Sequence, residues 1–265
     1  MSYTERNFMP ATALTIAGSD PSGGAGLQAD LKVFTLSGVF GMAVPAALTA
    51  QGPRGVRKVQ AVKPDFLQAQ LDALLDDVRP DALKTGMLLS ARAVEVVAAS
   101  VRSRRLDNLV VDPVMVSSTG VRLLRQGAVE ALIGGLIPAA RLVTPNLDEA
   151  GIIAGMEVRT LGDMEVAAKR IVALGAKAAL VKGGHLTGEP VDVLCAGRHV
   201  TLFEGFRVEG KRLHGTGCVY SAAITANLAL GMGIVEAVGE AKRFVTEAII
   251  KAEPVGEGRI PLWLM

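Results

Sequence analysis

Short apolar segments alternate with longer amphipathic segments along most of the chain, and this alternation constrains the fold more than any other feature of the sequence. The short segments are apolar at successive positions, as in parallel strands that helices cover on both faces. The order strand, helix, strand predicts an α/β fold of three layers, α/β/α, with a central, mostly parallel, doubly wound sheet. The predicted strands are Ala13–Ala17, Val39–Ala47, Ala82–Thr85, Leu109–Val114, Leu142–Thr144 and Ala178–Lys182.

Signals at the starts of the longer segments predict helices. Pro64 can occupy the first position of one helix, where its missing N–H is not needed. Ser90 can cap the next helix, and Thr160–Asp163 resembles a capping box at the start of a third. The alanine-rich stretch over residues 217–231 predicts a further helix that ends at a glycine.

The pattern changes near residue 191. Val191–Leu194 and Arg198–Phe203 are separated by three residues that end in glycine, which predicts an antiparallel hairpin at the edge of the sheet. No long linker, internal repeat or low-complexity segment interrupts the chain. We therefore expect one domain over residues 1–265.

Composition and charge exclude several classes of protein. Lys and Arg total 28, Asp and Glu total 26, and only 4% of the residues are aromatic, so no surface for nucleic acid is indicated. The apolar runs are too short to cross a membrane, and the N-terminal segment has no signal-peptide core. The cysteines, Cys195 and Cys218, form neither a disulfide framework nor a zinc spacing. We expect a cytoplasmic protein that binds neither nucleic acid nor membranes.

Polar residues follow five of the predicted strands. Ligands of parallel α/β sheets collect outside the carboxyl ends of the strands, so these residues are candidates for binding phosphate or metal. The alternative is that the glycines and prolines among them only turn the chain. The segments are Gly18–Asp20, Lys84–Gly86, Asp112–Pro113, Thr144–Asn146 and Lys182–His185.

Two glycine-rich segments adjoin predicted helices. Gly18–Gly26 is neither a Walker A loop nor a dinucleotide fingerprint, and by itself indicates only a flexible loop. Gly215–Cys218 precedes the alanine-rich helix, where free N–H groups suit a phosphate that is being transferred. The same helix end lowers the pKa of a thiol, so Cys218 could supply a thiolate at neutral pH. The alternative for Cys218 is a small buried residue at a tight helix start.

These motifs together resemble a known family. Its members are the bacterial hydroxymethylpyrimidine/phosphomethylpyrimidine kinases of the ribokinase superfamily, and the matching segments occur here in the family's order as far as about Ala226. The segments are Ala13–Lys32, Ala47–Gln51, Lys84–Leu88, Val111–Met115, Thr144–Ala150, Val181–His185 and His214–Cys218.

The resemblance implies two successive reactions that use ATP and Mg²⁺. The hydroxymethyl group of 4-amino-5-hydroxymethyl-2-methylpyrimidine is phosphorylated first, and the resulting monophosphate is then phosphorylated to the diphosphate, a precursor of thiamine diphosphate. The resemblance also implies a homodimer and a ribokinase-like fold without the lid strands of sugar kinases.

The resemblance further implies a role for individual residues. Those expected to line the pyrimidine pocket are Gly18, Asp30, Gln51, Met87 and Val114. Those expected at the phosphates of ATP are Lys182, Asn146 and Gly184, and those expected at Mg²⁺ are Asp112 and Glu149, with Asn146 beside them. The anion hole is expected from the backbone of Gly215, Thr216, Gly217 and Cys218, with the Cys218 thiol as general base where most sugar kinases have Asp.

Two departures from the family pattern concern the choice of substrate. Ser117 and Ser118 stand where many relatives have a small residue followed by Lys, and Val219 and Tyr220 stand where relatives usually have Thr and an apolar residue. The nearest alternative is a pyridoxine or pyridoxal kinase of the same branch. A protein that binds the pyrimidine without catalysis is a second alternative, although the residues expected at phosphate and metal are all present.

Overall fold

The computed structural model describes residues 10–52, 54–116, 124, 126–184, 186–208, 211, 213–262 and 264. Within these residues a nine-stranded sheet forms the centre of the molecule. Its strands are β1 (Thr12–Ser19), β2 (Phe40–Gly52), β3 (Gly55–Ala61), β4 (Ala82–Thr85), β5 (Leu109–Val111), β6 (Leu142–Val143), β7 (Ala178–Val181), β8 (Asp192–Ala196) and β9 (His199–Phe203). Two further short strands, β10 (Leu213–His214) and β11 (Ile260–Pro261), pair with each other in parallel.

The order of strands in the sheet is β3-β2-β1-β4-β5-β6-β7-β8-β9. Strands β2, β1, β4, β5, β6 and β7 are parallel, whereas β3 at one edge and β8 and β9 at the other are antiparallel to their neighbours. The predicted parallel sheet and its edge hairpin are therefore confirmed. The carboxyl ends of the six parallel strands lie along one side of the sheet, which is where the site is built.

Helices cover both faces of the sheet. The described α-helices are α1 (Gly26–Leu36), α2 (Pro64–Leu75), α3 (Ala91–Ser103), α4 (Gln126–Ala131), α5 (Leu147–Ala154), α6 (Leu161–Ala173), α7 (Thr216–Ala229) and α8 (Ile234–Lys251). A π-helical turn (Leu132–Leu136) and a 3-10 turn (Ile137–Ala139) continue α4. Buried side chains of α2 to α6 share one core with Leu14 and Ile16 of β1, and those of α1, α7 and α8 share the other core with Ala13. Successive strand residues thus enter opposite cores, which is why the strands are apolar at successive positions.

The predicted helix starts are present. Pro64 lies in the first turn of α2, and the Ser90 hydroxyl accepts a hydrogen bond from the Ala93 N–H at the start of α3. Thr160 and Asp163 form both hydrogen bonds of a capping box at the start of α6. These contacts satisfy N–H groups that have no partner inside a helix.

Two predicted strand ends are wrong by three residues or more, those of β2 and β5, and strands β3, β10 and β11 were not predicted. β2 continues past Ala47 to Gly52 because its second half pairs with β3. β3 carries exposed Arg57 and Lys58, so it lacks the apolar pattern used to find strands. β5 ends at Val111 rather than Val114, because Pro113 has no N–H and Val114 has a left-handed φ of 41°.

Some expectations are not tested by this part of the chain. Ser117, Ser118 and His185 lie outside the described residues. The expectation of one domain over residues 1–265 stays a prediction. Among the described helices, none is long and apolar enough to cross a membrane.

Candidate active site

A cavity of about 780 Å³ opens over the carboxyl ends of the parallel strands. It extends from the β2–β3 hairpin at one edge of the sheet to β8 and α8 at the other. The predicted site residues that line it are Gly18, Gln51, Met87, Asp112, Val114, Asn146, Glu149, Lys182, Gly184, Gly215, Thr216, Gly217 and Cys218. Asp30 is the predicted site residue that does not line it. The structure thus brings together residues from seven separate segments of the sequence.

The two glycine-rich segments contact each other at the start of α7. Gly215 has a left-handed φ of 83°, and a Cβ atom there would lie 1.8 Å from the carbonyl oxygen of Gly24. The first hydrogen bond inside α7 joins the Val219 N–H to the Gly215 carbonyl. The N–H groups of the three residues between them therefore have no partner within the helix. With the helix dipole, they form a place for an anion.

Gly215→Ala is expected to lower kcat/KM for the phosphorylation that the family resemblance implies by about 100-fold, because the new Cβ pushes the start of α7 away from Gly24 and displaces the N–H donors. Steady-state kinetics with a thermal unfolding curve test this. The matched control is Gly197→Ala in the β8–β9 turn, where φ is also left-handed at 61° but a Cβ meets nothing within 4 Å. Wild-type kcat/KM in Gly215→Ala would exclude the proposed anion hole.

Lys182 follows β7 and lies beside the start of α7. Its Nζ atom is 3.1 Å from Oδ1 of Asp112, and a Cβ on Gly217 would be 3.3 Å from the same Nζ. Burial alone would lower the pKa of Lys182, but Asp112 and Glu149 outweigh burial and raise it. Lys182 is therefore a charged ammonium group next to the free N–H groups of α7.

The carboxylate of Asp112 is held on both oxygens. Oδ1 faces Lys182, and Oδ2 accepts a hydrogen bond of 2.9 Å from the Ser221 hydroxyl of α7. Burial opposes ionisation, but the ammonium groups of Lys182 and Lys84 and these hydrogen bonds outweigh it and lower the pKa of Asp112. Asp112 is therefore an anion at neutral pH.

Asn146 and Glu149 form the capping box of α5. The Asn146 side chain accepts from the Glu149 N–H at 2.9 Å, and Oε2 of Glu149 accepts from the Asn146 N–H at 3.0 Å. Oε1 of Glu149 accepts from the Met115 N–H at 3.1 Å. Burial raises the pKa of Glu149, and nearby Asp112 adds to this effect against the charge of Lys182. Among the described residues, no three His, Cys, Asp or Glu side chains cluster as a ready metal site.

Cys218 lies in the first turn of α7, in surroundings that favour the neutral thiol. Burial raises the pKa of its thiol to about 11, although the Lys84 ammonium and the Gly26 N–H act in the opposite direction. Of the two interpretations of Cys218 left open by the sequence, this raised pKa favours the small, partly buried residue at a tight helix start over a thiolate at neutral pH. The loss of hydration destabilises the thiolate by more than the start of the helix stabilises it.

Asp30 lies beneath the cavity, in a buried ion pair that the sequence analysis did not predict. Its Oδ1 is 2.5 Å from the Nζ of Lys84, and its Oδ2 accepts a hydrogen bond of 2.6 Å from the Thr15 hydroxyl. Lys84 also donates to the carbonyl oxygen of Cys218 at 3.3 Å. The expected contact of Asp30 with the pyrimidine is thus corrected: Asp30 holds Lys84 below α7. The only signal for Lys84 was its place at the end of a predicted strand.

Gln51, on the part of β2 that extends beyond the prediction, has a histidine partner. The Nε2 atom of His214 lies 3.1 Å from the side-chain nitrogen of Gln51 and 2.9 Å from Oδ2 of Asp20. His214 and Asp20 occur in the glycine-rich motifs, but neither was assigned a role. Nearby, Gly18 leaves space for Met87, because a Cβ on Gly18 would lie 2.3 Å from the Met87 methyl group.

The other end of the cavity is formed by residues that the sequence analysis missed. Several come from α8 and from the segment after β9, which carried no recognisable motif. They include Phe206, Val208, Val245, Thr246 and Ile249. The apolar side chains of the recess at this end suit a planar ring, and Arg207, Lys211 and Lys242, which also line it, suit the phosphates joined to such a ring.

A doubly wound α/β protein with a glycine-lined helix start, a buried lysine and two carboxylates in one cavity belongs to the class of phosphate-binding enzymes. Residues 20–263 match the sequence model of the family described as Phosphomethylpyrimidine kinase, and the chain belongs to this family.

Relatives in two bacteria are similar over nearly the whole of this chain. The thiamine biosynthesis bifunctional protein ThiED of Geobacter sulfurreducens is 45% identical over 256 residues, which is 96% of this chain and 52% of that protein. This chain therefore spans about half of that relative's length. The hydroxymethylpyrimidine/phosphomethylpyrimidine kinase of Synechococcus elongatus is 44% identical over 252 residues, 94% of this chain and 95% of that protein.

Solved structures share the ribokinase-like fold. A pyridoxal kinase of Bacillus subtilis in an ADP complex is 39% identical, with a TM-score of 0.89 over 96% of this chain and 97% of that chain. A phosphomethylpyrimidine kinase of Clostridium difficile is 42% identical, with a TM-score of 0.81 over 90% of this chain and 99% of that chain.

Proposed function

We propose that this chain uses ATP to phosphorylate 4-amino-5-hydroxymethyl-2-methylpyrimidine and then phosphorylates the monophosphate to the diphosphate, in thiamine diphosphate biosynthesis. The observation that carries the proposal is the single cavity in which Lys182 and the free N–H groups of α7 lie between Gln51 and the recess at α8. Family membership supplies the reaction class. The arrangement suits phosphoryl transfer, which depends on positioning and on neutralisation of charge.

The two ends of the cavity suit the two substrates. The Gln51 amide offers a donor and an acceptor side by side, which matches the edge of an aminopyrimidine. Lys182 acts as a point charge on the phosphates of ATP, and the N–H groups of residues 216–218 stabilise the phosphoryl group in transfer. The ADP complex of the Bacillus subtilis relative supports a nucleotide in this fold.

Mg²⁺ fits the residues next to Lys182. Asp112 and Glu149, with Asn146, would hold it, because Mg²⁺ binds through one or two carboxylates together with phosphate oxygens and water. The hydrogen bonds that fix both carboxylates keep their oxygens in place for this role. When bound, Mg²⁺ supplies neutralisation of the phosphate charge.

The choice of substrate is tested by the release of ADP with three acceptors: the hydroxymethylpyrimidine, its monophosphate and pyridoxal. We expect kcat/KM to be at least about tenfold higher for the pyrimidine alcohol than for pyridoxal, because pyridoxal lacks the amino group that pairs with Gln51. A higher kcat/KM for pyridoxal would assign the chain to the alternative activity. Binding of the pyrimidine with Mg²⁺ but without consumption of ATP would favour a protein that only binds it.

Cys218→Ala is expected to affect the two phosphorylations differently. The first acceptor is an alcohol that must lose a proton, whereas the second is a phosphate that is already ionised. Loss of the general base should lower the first rate by about 100-fold and the second by less than about threefold. Single-turnover assays of each step measure this. The control is Cys195→Ala, which removes the buried thiol of the edge hairpin.

The pKa of Cys218 gives this prediction a pH signature. The active form is the thiolate, and with a pKa of about 11 its fraction rises with pH throughout the neutral range. The rate of the first step should therefore rise by up to about tenfold per pH unit from pH 7 to 9, while that of the second stays flat. Equal losses in Cys218→Ala, or a flat first step, would contradict the role of Cys218 as base.

Two other expectations stay predictions. We propose a homodimer, which light scattering tests, and a cytoplasmic location, which fractionation of the source cells tests.

A further inference from the structure

The loop that follows β7 aims Lys182 and Gly184 into the cavity, and its backbone is tightly confined. The Lys182 N–H donates to the Pro145 carbonyl at 2.8 Å, and a Cβ on Gly183 would lie 1.9 Å from the Val191 carbonyl oxygen. This backbone sets the position of the Lys182 ammonium group, so a shift of the loop would displace that group. The side chain that holds the loop in place is not among the residues already assigned to the site.

Asp192 binds this loop from the first position of β8. Its Oδ1 accepts a hydrogen bond of 2.8 Å from the Gly183 N–H, which belongs to the peptide bond between Lys182 and Gly183. Asp192 is buried, with 2% of its surface exposed. A buried carboxylate needs a partner for its charge.

Lys242 of α8 supplies that partner. Its Nζ is 2.7 Å from Oδ2 of Asp192, and its side chain is 13% exposed at the cavity wall. The backbone at Gly205 packs against Lys242, because a Cβ there would lie 3.0 Å from Cε. Lys242 is thus held over Asp192 from the side of the cavity that the nucleotide would occupy.

Tyr220 of α7 completes the surroundings of Asp192. Burial raises the pKa of the Tyr220 hydroxyl well above its usual value, with a further contribution from the Asp192 charge. The Tyr220 hydroxyl also lies close enough to Asp192 for a hydrogen-bonding interaction with the carboxylate to add to this effect. The Asp192 carboxylate is therefore surrounded by three donors: the Gly183 N–H on Oδ1, the Lys242 ammonium on Oδ2, and the Tyr220 hydroxyl beside them.

We propose that Asp192 and Lys242 are positioning residues for the nucleotide: Lys242 neutralises and orients Asp192, and Asp192 holds the Lys182–Gly183 peptide so that Lys182 meets the phosphates. This rests on the proposed function only in its use of a nucleoside phosphate. Neither residue has a role in the residue set that the family resemblance implied, and neither contacts the pyrimidine end of the cavity.

The proposal predicts a graded loss of nucleotide affinity. Asp192→Ala removes the acceptor of the Gly183 N–H, and its Kd for ADP should rise by about 30-fold. Asp192→Asn keeps an acceptor but loses the negative charge, and Lys242→Met leaves the charge of Asp192 unpaired. In each of these two variants the Kd for ADP should rise by about 3- to 10-fold. The KM for the pyrimidine should not change in any of them. Calorimetric titration with ADP and steady-state kinetics measure these quantities.

The control for a lost lysine is Lys169→Met, which breaks an exposed ion pair with Glu165 on α6. An ADP Kd within twofold of wild type in Asp192→Asn and Lys242→Met would overturn the proposal, and so would a parallel rise in the KM for the pyrimidine. If Asp192→Ala does not fold, Asp192→Asn and Lys242→Met still test the proposal. Binding of ADP does not require catalysis, so a wild-type protein that binds ADP but leaves the pyrimidine unphosphorylated would refute the proposed function and not this inference.

Discussion

Lys182→Met is expected to lower kcat/KM for both phosphorylations by about 100- to 1,000-fold, with the KM for the pyrimidine nearly unchanged. The reason is the position of Nζ, which lies beside the start of α7 and 3.1 Å from Asp112, where the phosphates would meet the free N–H groups. A methionine keeps the length of the side chain and removes the charge. Both reactions transfer the same group from the same donor, so both should fall.

The control for Lys182→Met is Lys177→Met, a lysine exposed just before β7. It should leave kcat/KM unchanged. The loss of charge at Lys182 also deprives buried Asp112 of a partner, so a thermal unfolding curve is needed to show that the variant is folded at the assay temperature. A folded Lys182→Met protein with wild-type kcat/KM would exclude Lys182 from phosphate binding.

Lys84→Met is expected to destabilise the protein by about 3–5 kcal/mol, because it leaves the fully buried Asp30 carboxylate without a counter-charge. The double variant Asp30→Leu/Lys84→Met removes both charges and should recover most of this loss, to within about 1 kcal/mol of wild type. Urea unfolding at pH 7 measures both values. Comparison of the two variants therefore shows whether the loss of stability comes from an unpaired buried charge or from the absence of the ion pair.

Activity separates the two roles of Lys84. The double variant should be stable but should have a lower kcat/KM than wild type, because the Cys218 carbonyl loses the donor that Lys84 provides at 3.3 Å. Lys169→Met, at an exposed ion pair, should change the stability little. A stable Lys84→Met single variant would show that Asp30 finds another partner, and would contradict the buried pair as described.

The parallel sheet was predictable because its physical cause is visible in the sequence. Strands buried on both faces must be apolar at successive positions, as Leu14 and Ala13 show by entering opposite cores. The edge strand β3 is exposed and charged, so the same reasoning could not find it. The extension of β2 depends on β3, and so its end at Gly52 was missed as well.

The site was predictable where a residue acts through its own chemistry at a strand end or a helix start. Lys182, Asp112 and the glycines around Gly215 are of this kind. Pairings between distant residues left no such signal. The strand end marked Lys84 but not its pairing with Asp30 across 54 positions, and nothing marked the pairing of Lys242 with Asp192 across 50. Their pairing is a product of the packing of α1, α7 and α8 on the sheet.

The pKa of Cys218 shows a different limit of the sequence. A helix start is visible in the sequence and argues for a lower thiol pKa, whereas the depth of burial is not visible and dominates the result. The pH dependence of the rate of the first phosphorylation therefore decides whether Cys218 acts as the general base. The helix start itself, with its free N–H groups, is independent of that outcome.

The most direct test of the central claim is a ³¹P NMR time course with purified protein, Mg²⁺, excess ATP and the hydroxymethylpyrimidine as the only acceptor. We expect the monophosphate to appear first and then to convert to the diphosphate, with two ADP formed for each pyrimidine consumed. If the monophosphate accumulates without conversion, or if ATP is not consumed while the pyrimidine is bound, the claim that one cavity carries out both phosphorylations is contradicted.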